Sequence, residues 1–299
     1  NHKRNLFLLL FLSALLFSCS LHSSLSDTAG NVGIPEIYRG ESGESVLPER
    51  WWEAFDDECL NSLVEELLSA NLELEQAWAR IDQAEALAVQ TGSVLFPRIT
   101  LEGATSRART YTPSSTSAES MVPVHTRQHT LGLAASYEID LWGRIRSTKK
   151  ASMLDIEAVR LDLETAAMSL TAQVAQNWYS LIEHNAQLQL VQNQVQASSN
   201  QLDLVKLRFS RGLASALDVY QQRQQLASLK SQIPLIEAQI SVLTHQLNVL
   251  LGKDPGTPFE NIPHILPELW PRPAAGLPAD LLTLRPDVKA ARMRVEAAE

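Results

Sequence analysis

The stretch 163–209 reads LETAAMSLTAQVAQNWYSLIEHNAQLQLVQNQVQASSNQLDLVKLRF. Leu163, Ala167, Leu170, Val174, Asn177, Leu181, His184, Leu188, Val191, Val195, Ser198, Leu202, Val205 and Phe209 follow one another in alternating steps of four and three. Those steps put every one of them on a single stripe of an α-helix, the pattern of a heptad seam. From 144 to 209 there is no proline and no glycine, so the backbone meets no interruption. A second, weaker seam runs through Ala158, Leu161, Met168, Ala172, Ala175, Tyr179, Ile182 and Ala186 on another face. A helix with two seams has neighbours on both sides, as in sheets of antiparallel helices and closed helical barrels. A simple dimeric rod needs only one. At ~1.5 Å per residue the 143–209 helix spans about 100 Å, far more than an ordinary globular domain uses.

Outward from this helix the pattern repeats. After Gly212 a helix is predicted over 213–251, with Leu226, Leu229, Ile233, Ile236, Ile240, Leu243, Leu247 and Leu250 again spaced by three and four. Pro234 lies inside it and is expected to bend the helix or cost it a hydrogen bond. Gly252 ends it, and the prolines from Pro255 to Pro278 mark an irregular stretch. Upstream, Val64, Leu67, Leu74, Trp78, Ile81 and Ala88 give one apolar face over 57–95, and Pro97 stops that helix. Each of the two shorter helices is about 58 Å long. Stacked end to end, they roughly match the long one.

Two segments switch to period two. Ile99 and Leu101 alternate with Thr100 and Glu102 in 97–107. In 130–140, Leu131, Leu133, Ala135, Tyr137 and Ile139 alternate with smaller and polar residues. Each is about ten residues, the length a tilted strand needs to cross a bilayer. A hairpin on a soluble domain gives the same pattern. The polar stretch 108–129 between them reads as a solvent-facing loop.

The start of the chain is different in kind. His2, Lys3 and Arg4 precede an apolar run over 6–17 that reaches only ~18 Å as a helix, too short to span a bilayer. It reads as a signal peptide, 1–18. Leu16-Phe17-Ser18-Cys19 resembles a bacterial lipoprotein processing site, with Cys19 as the lipidated residue; the alternative is an ordinary signal peptide containing a cysteine. Ser20, where Asp is the usual signal for inner-membrane retention, leaves the outer membrane open as a destination. Residues 19–50 read as a tether. Cys59 then has no partner in the chain, so no disulfide framework is expected.

Shifted by 214 positions, 63–85 aligns without a gap on 277–299. Leu63, Leu67, Leu68, Ala77, Arg80, Ala84 and Glu85 recur as Leu277, Leu281, Leu282, Ala291, Arg294, Ala298 and Glu299. The chain thus divides into a first structural repeat at 51–252, an irregular segment at 253–276 and the start of a second repeat at 277–299. A chain that ends in mid-helix is expected to be a fragment, and an isolated 1–299 product is expected not to form a pore.

Several motifs occur in order along the chain: Trp51-Trp52-x-x-Phe55-x-Asp57-x-x-Leu60, Leu95-Phe96-Pro97 and Tyr137-Glu138-x-Asp140-Leu141-Trp142-Gly143-Arg144. Then come Arg211-Gly212-Leu213-Ala214-Ser215-x-x-Asp218-Val219, Leu250-Leu251-Gly252 and Arg285-Pro286-Asp287-Val288. Together they resemble the TolC-like outer-membrane efflux protein family, lipoprotein (NodT-like) branch. The resemblance implies a mainly α fold with a membrane β-barrel part. Long antiparallel helices would form a trimeric periplasmic α-barrel, and this chain would give two strands to a shared barrel of twelve. It also implies a homotrimer that meets a periplasmic adaptor and an inner-membrane pump and passes small molecules such as drugs to the exterior. Arg211, Gly212, Leu213, Ala214, Ser215 and Asp218 match the adaptor-contacting tip. Asp140, Trp142 and Gly143 match the strand-to-helix transition, with Trp142 near the membrane interface. A plain helix hairpin, with Gly212 in the turn and Ser215 as N-cap, explains the tip residues equally well.

Other chemistries find no support. A net charge of −9 leaves no basic stripe for nucleic acid. The seven histidines show no metal-ligand spacing, and no phosphate loop or nucleophile elbow occurs. No enzyme activity, metal or cofactor is expected beyond the covalent lipid on Cys19, and transport energy must come from a partner. The rival readings are a type I protein-secretion duct and a non-transporting, lipid-anchored coiled-coil scaffold.

Overall fold

The computed structural model describes residues 50–113, 121–259, 262–263, 265–267 and 281–299. The leader, Cys19 and all of the tether but Arg50 lie outside the described residues. A 3-10 turn, Trp51–Phe55, leads into helices α1 (Glu58–Ala70) and α2 (Leu72–Ser93). Strands β1 (Arg98–Pro113) and β2 (Met121–Ser136) follow, then α3 (Arg144–Ser210) and α4 (Ala216–Leu250). Short α5 (Leu281–Leu284) and α6 (Pro286–Ala298) close the chain.

Helix α3 runs 67 residues without a break and organises everything else. Of its heptad stripe, Leu170, Val174, Asn177, Leu181, Val191, Ser198 and Leu202 are buried and only Phe209, at 48%, is exposed. Contacts along α3 show how the shorter helices cover it. Ser152 meets Thr91 at 3.4 Å, and Arg160 pairs with Glu85 at 2.9 Å, both on α2. Trp178 meets Asp57, just before α1, and Ser198 meets Gln222 of α4 at 3.0 Å. The shorter helices are therefore stacked along the long one, as their lengths require. Helix α6 also lies against α3, where Arg294 pairs with Asp162.

The core is a collar around the middle of α3. Leu60, Val64 and Leu67 of α1 pack with Val174 and Leu181 of α3 and Leu247 of α4, all of them at 0% exposure. Each such side chain contributes about 1.5–3 kcal/mol by leaving water. Phe259 and Ile262 of the irregular segment pack against the same cluster. Asn248 holds that segment by donating to the carbonyls of Pro255 and Thr257 at 3.0 and 2.7 Å.

Two expectations need correction. The helix expected over 57–95 is two helices, because the Asn71 side chain accepts from the N–H groups of Glu73 and Leu74 and caps α2 afresh. Its amide also donates to the Leu250 carbonyl at 2.7 Å, which ties the break to the end of α4. Gly252 closes against this joint with φ +69°, where a Cβ would lie 2.4 Å from the Ala70 carbonyl oxygen. Second, the strands are 16 residues each, paired antiparallel from Arg98↔Ser136 to Pro113↔Met121. Much of 108–129 is therefore ladder rather than loop, because Thr, Tyr and Val there suit a strand despite their polar neighbours. The ladder also stops at Ser136, so Tyr137 to Asp140 form a connection instead. Helix α4 continues through Pro234 as one helix, and the proline costs it the expected hydrogen bond, because the ring removes the N–H that would bond the Lys230 carbonyl.

Candidate functional site

The residues singled out in the sequence gather at the two ends of α3. At the far end, α3 closes with a Schellman turn: the Leu213 N–H reaches the Arg208 carbonyl at 2.8 Å and the Gly212 N–H reaches Phe209 at 3.0 Å. Gly212 has φ +74°, a conformation that favours glycine. Helix α4 then opens on a capping box. Ser215 Oγ accepts from the Asp218 N–H at 3.2 Å, and the Ser215 N–H donates back to Asp218 Oδ2 at 2.7 Å. The Ser215 N–H and the Ser215 hydroxyl, which donates to Asp218 Oδ2 at 2.8 Å, hold the Asp218 carboxyl below the usual carboxylate range. The turn is thus fixed entirely by local bonds, and Arg211, Leu213 and Ser215 remain exposed on it.

Sequence reasoning missed part of this end. Leu207, Phe209, Leu217 and Tyr220 are also exposed, so the tip carries an apolar surface beside Arg211. Except for Phe209 they stand off the heptad stripes, which was the available signal.

At the opposite end, Gly143 adopts φ +77° as the N-cap of α3 and offers no side chain to cap it. Asp140 does so from three residues upstream: its Oδ2 accepts from the Arg146 N–H at 3.0 Å and lies 3.4 Å from Arg146 Nε. The Asp140 side chain is only 10% exposed. Desolvation works to raise its pKa, but bonds from the Arg146 and Ile145 N–H groups and the Arg146 side chain together hold it below the usual range. Arg144 pairs with Glu138 at 2.7 Å across the same bend. Around it Phe96, Tyr137, Ile139, Leu141 and Trp142 stand exposed, Trp142 at 77%. The hairpin beyond presents Ile99, Leu101, Leu131 and Leu133 on one face, and none of its described side chains is buried.

Between the two ends, the collar holds a junction the sequence did not reveal. Asp57 caps α1 through the Leu60 N–H at 3.0 Å and accepts from Trp178 Nε1 at 2.9 Å. Burial, with the Asp57 charge nearby, pushes the Tyr179 hydroxyl up to about 12. Among the described residues no helix is long and apolar enough to cross a membrane, and no group of acidic, His and Cys residues is placed to hold a metal ion.

Two ends of one long helix, one bearing an apolar-faced hairpin and one a helix turn, mark a particular architecture. The model of the outer membrane efflux protein family matches residues 63–253. The chain belongs to that family. As an outer membrane efflux family member it is 33% identical, over 86% of its length, to the pyoverdine export outer membrane protein OpmQ of Pseudomonas putida, covering 55% of that protein. It is 31% identical to the toluene efflux pump outer membrane protein TtgF of the same species, over 83% of the chain and 51% of the relative. The solved outer-membrane channel OprN superposes with a TM-score of 0.75 at 27% identity, over 93% of this chain and 61% of that one. The chain therefore spans about half the length of the curated relatives it matches. Its family fold is the TolC-like one, a helical barrel joined to a β-barrel, and its place is the outer membrane.

Proposed function

We propose that this chain forms the first half of a subunit of a trimeric exit duct that carries small molecules out of a Gram-negative cell. The observation that carries the reading is a 67-residue helix with a covered heptad seam that joins an apolar-faced hairpin to a rigid, exposed turn. The hairpin supplies two strands to a barrel of twelve, and α1–α4 supply a wall of the periplasmic helical barrel. The starts of α2 and α6, Leu72 and Pro286, stand 214 residues apart, and both follow a break in the helix. This supports a second repeat beginning at 277 that completes the wall. Cys19 carries the lipid anchor, and the protein works by conduction, with no catalysis and no cofactor.

The turn Arg211, Gly212, Leu213, Ala214, Ser215 and Asp218 meets the periplasmic adaptor, which connects the duct to an inner-membrane pump. Its exposed apolar residues and Arg211 give the contact both area and charge. Asp140, Trp142 and Gly143 make the rigid bend from barrel to helices, with Trp142 at the membrane interface. Photo-crosslinking from Leu213 in cells expressing the full-length protein tests this. The reading expects a crosslink to the periplasmic adaptor of the neighbouring pump, together with toxic-compound sensitivity when the duct is deleted. Crosslinks only to cell-wall components, with no sensitivity phenotype, would sink it.

A further inference from the structure

The hairpin's outward face changes character along its length. Beyond Ile99, Leu101, Leu131 and Leu133, the ladder sets Thr105 opposite His129, Arg107 opposite Arg127 and Arg109 opposite His125. Alternate residues of a strand share a face, as do directly paired ones. Three arginines and two histidines therefore form one patch directly above the apolar band. Thr105 Oγ1 bonds His129 Nδ1 at 2.8 Å, and the Arg109 guanidinium sits 5.2 Å from the Tyr111 ring centroid. All of these residues are exposed.

Among the described residues nothing on this face balances the charge. Among the described residues of the hairpin the one carboxylate is Glu102, which is out of phase and on the other face. Among the described residues Arg107, Arg109 and Arg127 enter no ion pair. Like charges directly opposite one another weaken a strand pair, and Arg107 and Arg127 are so placed. An anion from outside the chain reverses that effect, and guanidinium groups match phosphate oxygens two at a time.

We propose that this patch binds the phosphate-bearing headgroups of lipid in the outer leaflet around the barrel. The proposal rests on the membrane placement of the hairpin argued above. Its position follows from the fold: the patch lies in the half of the hairpin remote from α3, just past the apolar band, where headgroups begin. The apolar band seats acyl chains, and the arginines hold the phosphates above them. A soluble anion has no use for the adjoining apolar face.

The test uses the full-length protein in nanodiscs of phosphatidylcholine with and without lipopolysaccharide, comparing wild type with the triple variant Arg107→Gln, Arg109→Gln, Arg127→Gln. Fluorescent lipopolysaccharide reports its preference over neutral lipid at the barrel. At about fivefold per basic side chain, the triple variant is expected to lose about a hundredfold of that preference. The variant with lysine at all three positions is expected to retain most of it. An unchanged preference in the triple variant would overturn the proposal, as would full displacement of the lipid by millimolar inorganic phosphate. If the triple variant does not assemble, Arg127→Gln alone is expected to show about a fivefold loss, and no loss overturns the idea. A water-soluble quencher against labels at Leu131 and Leu133 separates the two levels of the argument. Labels open to water mean that the membrane placement itself has failed; shielded labels with unchanged lipid preference remove only this inference.

Discussion

The collar and the hairpin of this chain solve the problem of apolar surface in opposite ways. In the collar, leucines and valines from α1, α3 and α4 meet one another and leave water completely. In the hairpin, Leu131 and Leu133 are 81% and 74% exposed, and the two strands are held mainly by their ladder of backbone hydrogen bonds. A lone two-stranded ribbon is marginal in water. The contrast teaches that the helices carry their own core, whereas the strands are completed from outside, by neighbouring strands and by lipid.

The largest test of that contrast is truncation in each region of the full-length protein. Leu181→Ala or Leu67→Ala in the collar is expected to cost about 2–5 kcal/mol in denaturant unfolding, since a cavity remains in a packed cluster. Leu133→Ala is expected to cost less than about 1 kcal/mol in the same measurement, because Leu133 is mostly exposed and little protein contact is lost there. Equal costs would erase the distinction. The glycines sharpen it at the next level. Gly143→Ala meets only the penalty of a left-handed backbone, about 1–2 kcal/mol, since no atom lies within 4 Å of its Cβ. Gly252→Ala meets the same strain plus a clash with the Ala70 carbonyl, so its melting temperature is expected to fall further.

How legible was this division? The heptad stripe showed most of α3, since one period held from Leu163 to Val205 and every residue it names there is buried or half-buried; Ile182 belongs to the weaker seam, and Trp178, also buried, to neither. The break at Asn71 was hidden because the apolar stripe steps across it from Leu67 to Leu74, although Asn is itself a preferred N-cap. The hairpin length was hidden too: residues such as Arg107 and Arg127 look like loop, yet in a strand with no protein covering them they can be charged. Asp140 was singled out as part of the bend, but its bond to the Arg146 N–H, which caps α3, was not foreseen. The Asp57–Trp178 junction had no local signal, because it joins residues far apart in sequence.

Smaller effects belong to the tip. Ser215→Ala is expected to destabilise the start of α4 by about 1 kcal/mol, read as faster hydrogen exchange in its first turn. The smallest effect is a pH dependence. Asp218 has its carboxyl held below the ordinary value of 3.8 by Ser215. Its stabilisation is therefore fully present above the unfolded carboxylate pKa and is lost as pH falls through the lower folded value. Exchange protection at the tip, corrected for intrinsic rates, is expected to drop on acidification in wild type. In Asp218→Asn it is expected to start lower and stay level; a drop of equal size there would show that another group is responsible.

The most direct test of the whole account is a spin-label scan of the hairpin in the full-length protein, with Cys59 replaced by serine and the protein held in outer-membrane vesicles. Labels at Ile99, Leu101, Leu131 and Leu133 are predicted to be accessible to oxygen and shielded from a water-soluble nickel complex. Labels at Thr100, Gly132 and Ala134 are predicted to show the reverse, giving a period of two along both strands. Uniform access to the nickel complex at every position would contradict a membrane-spanning duct.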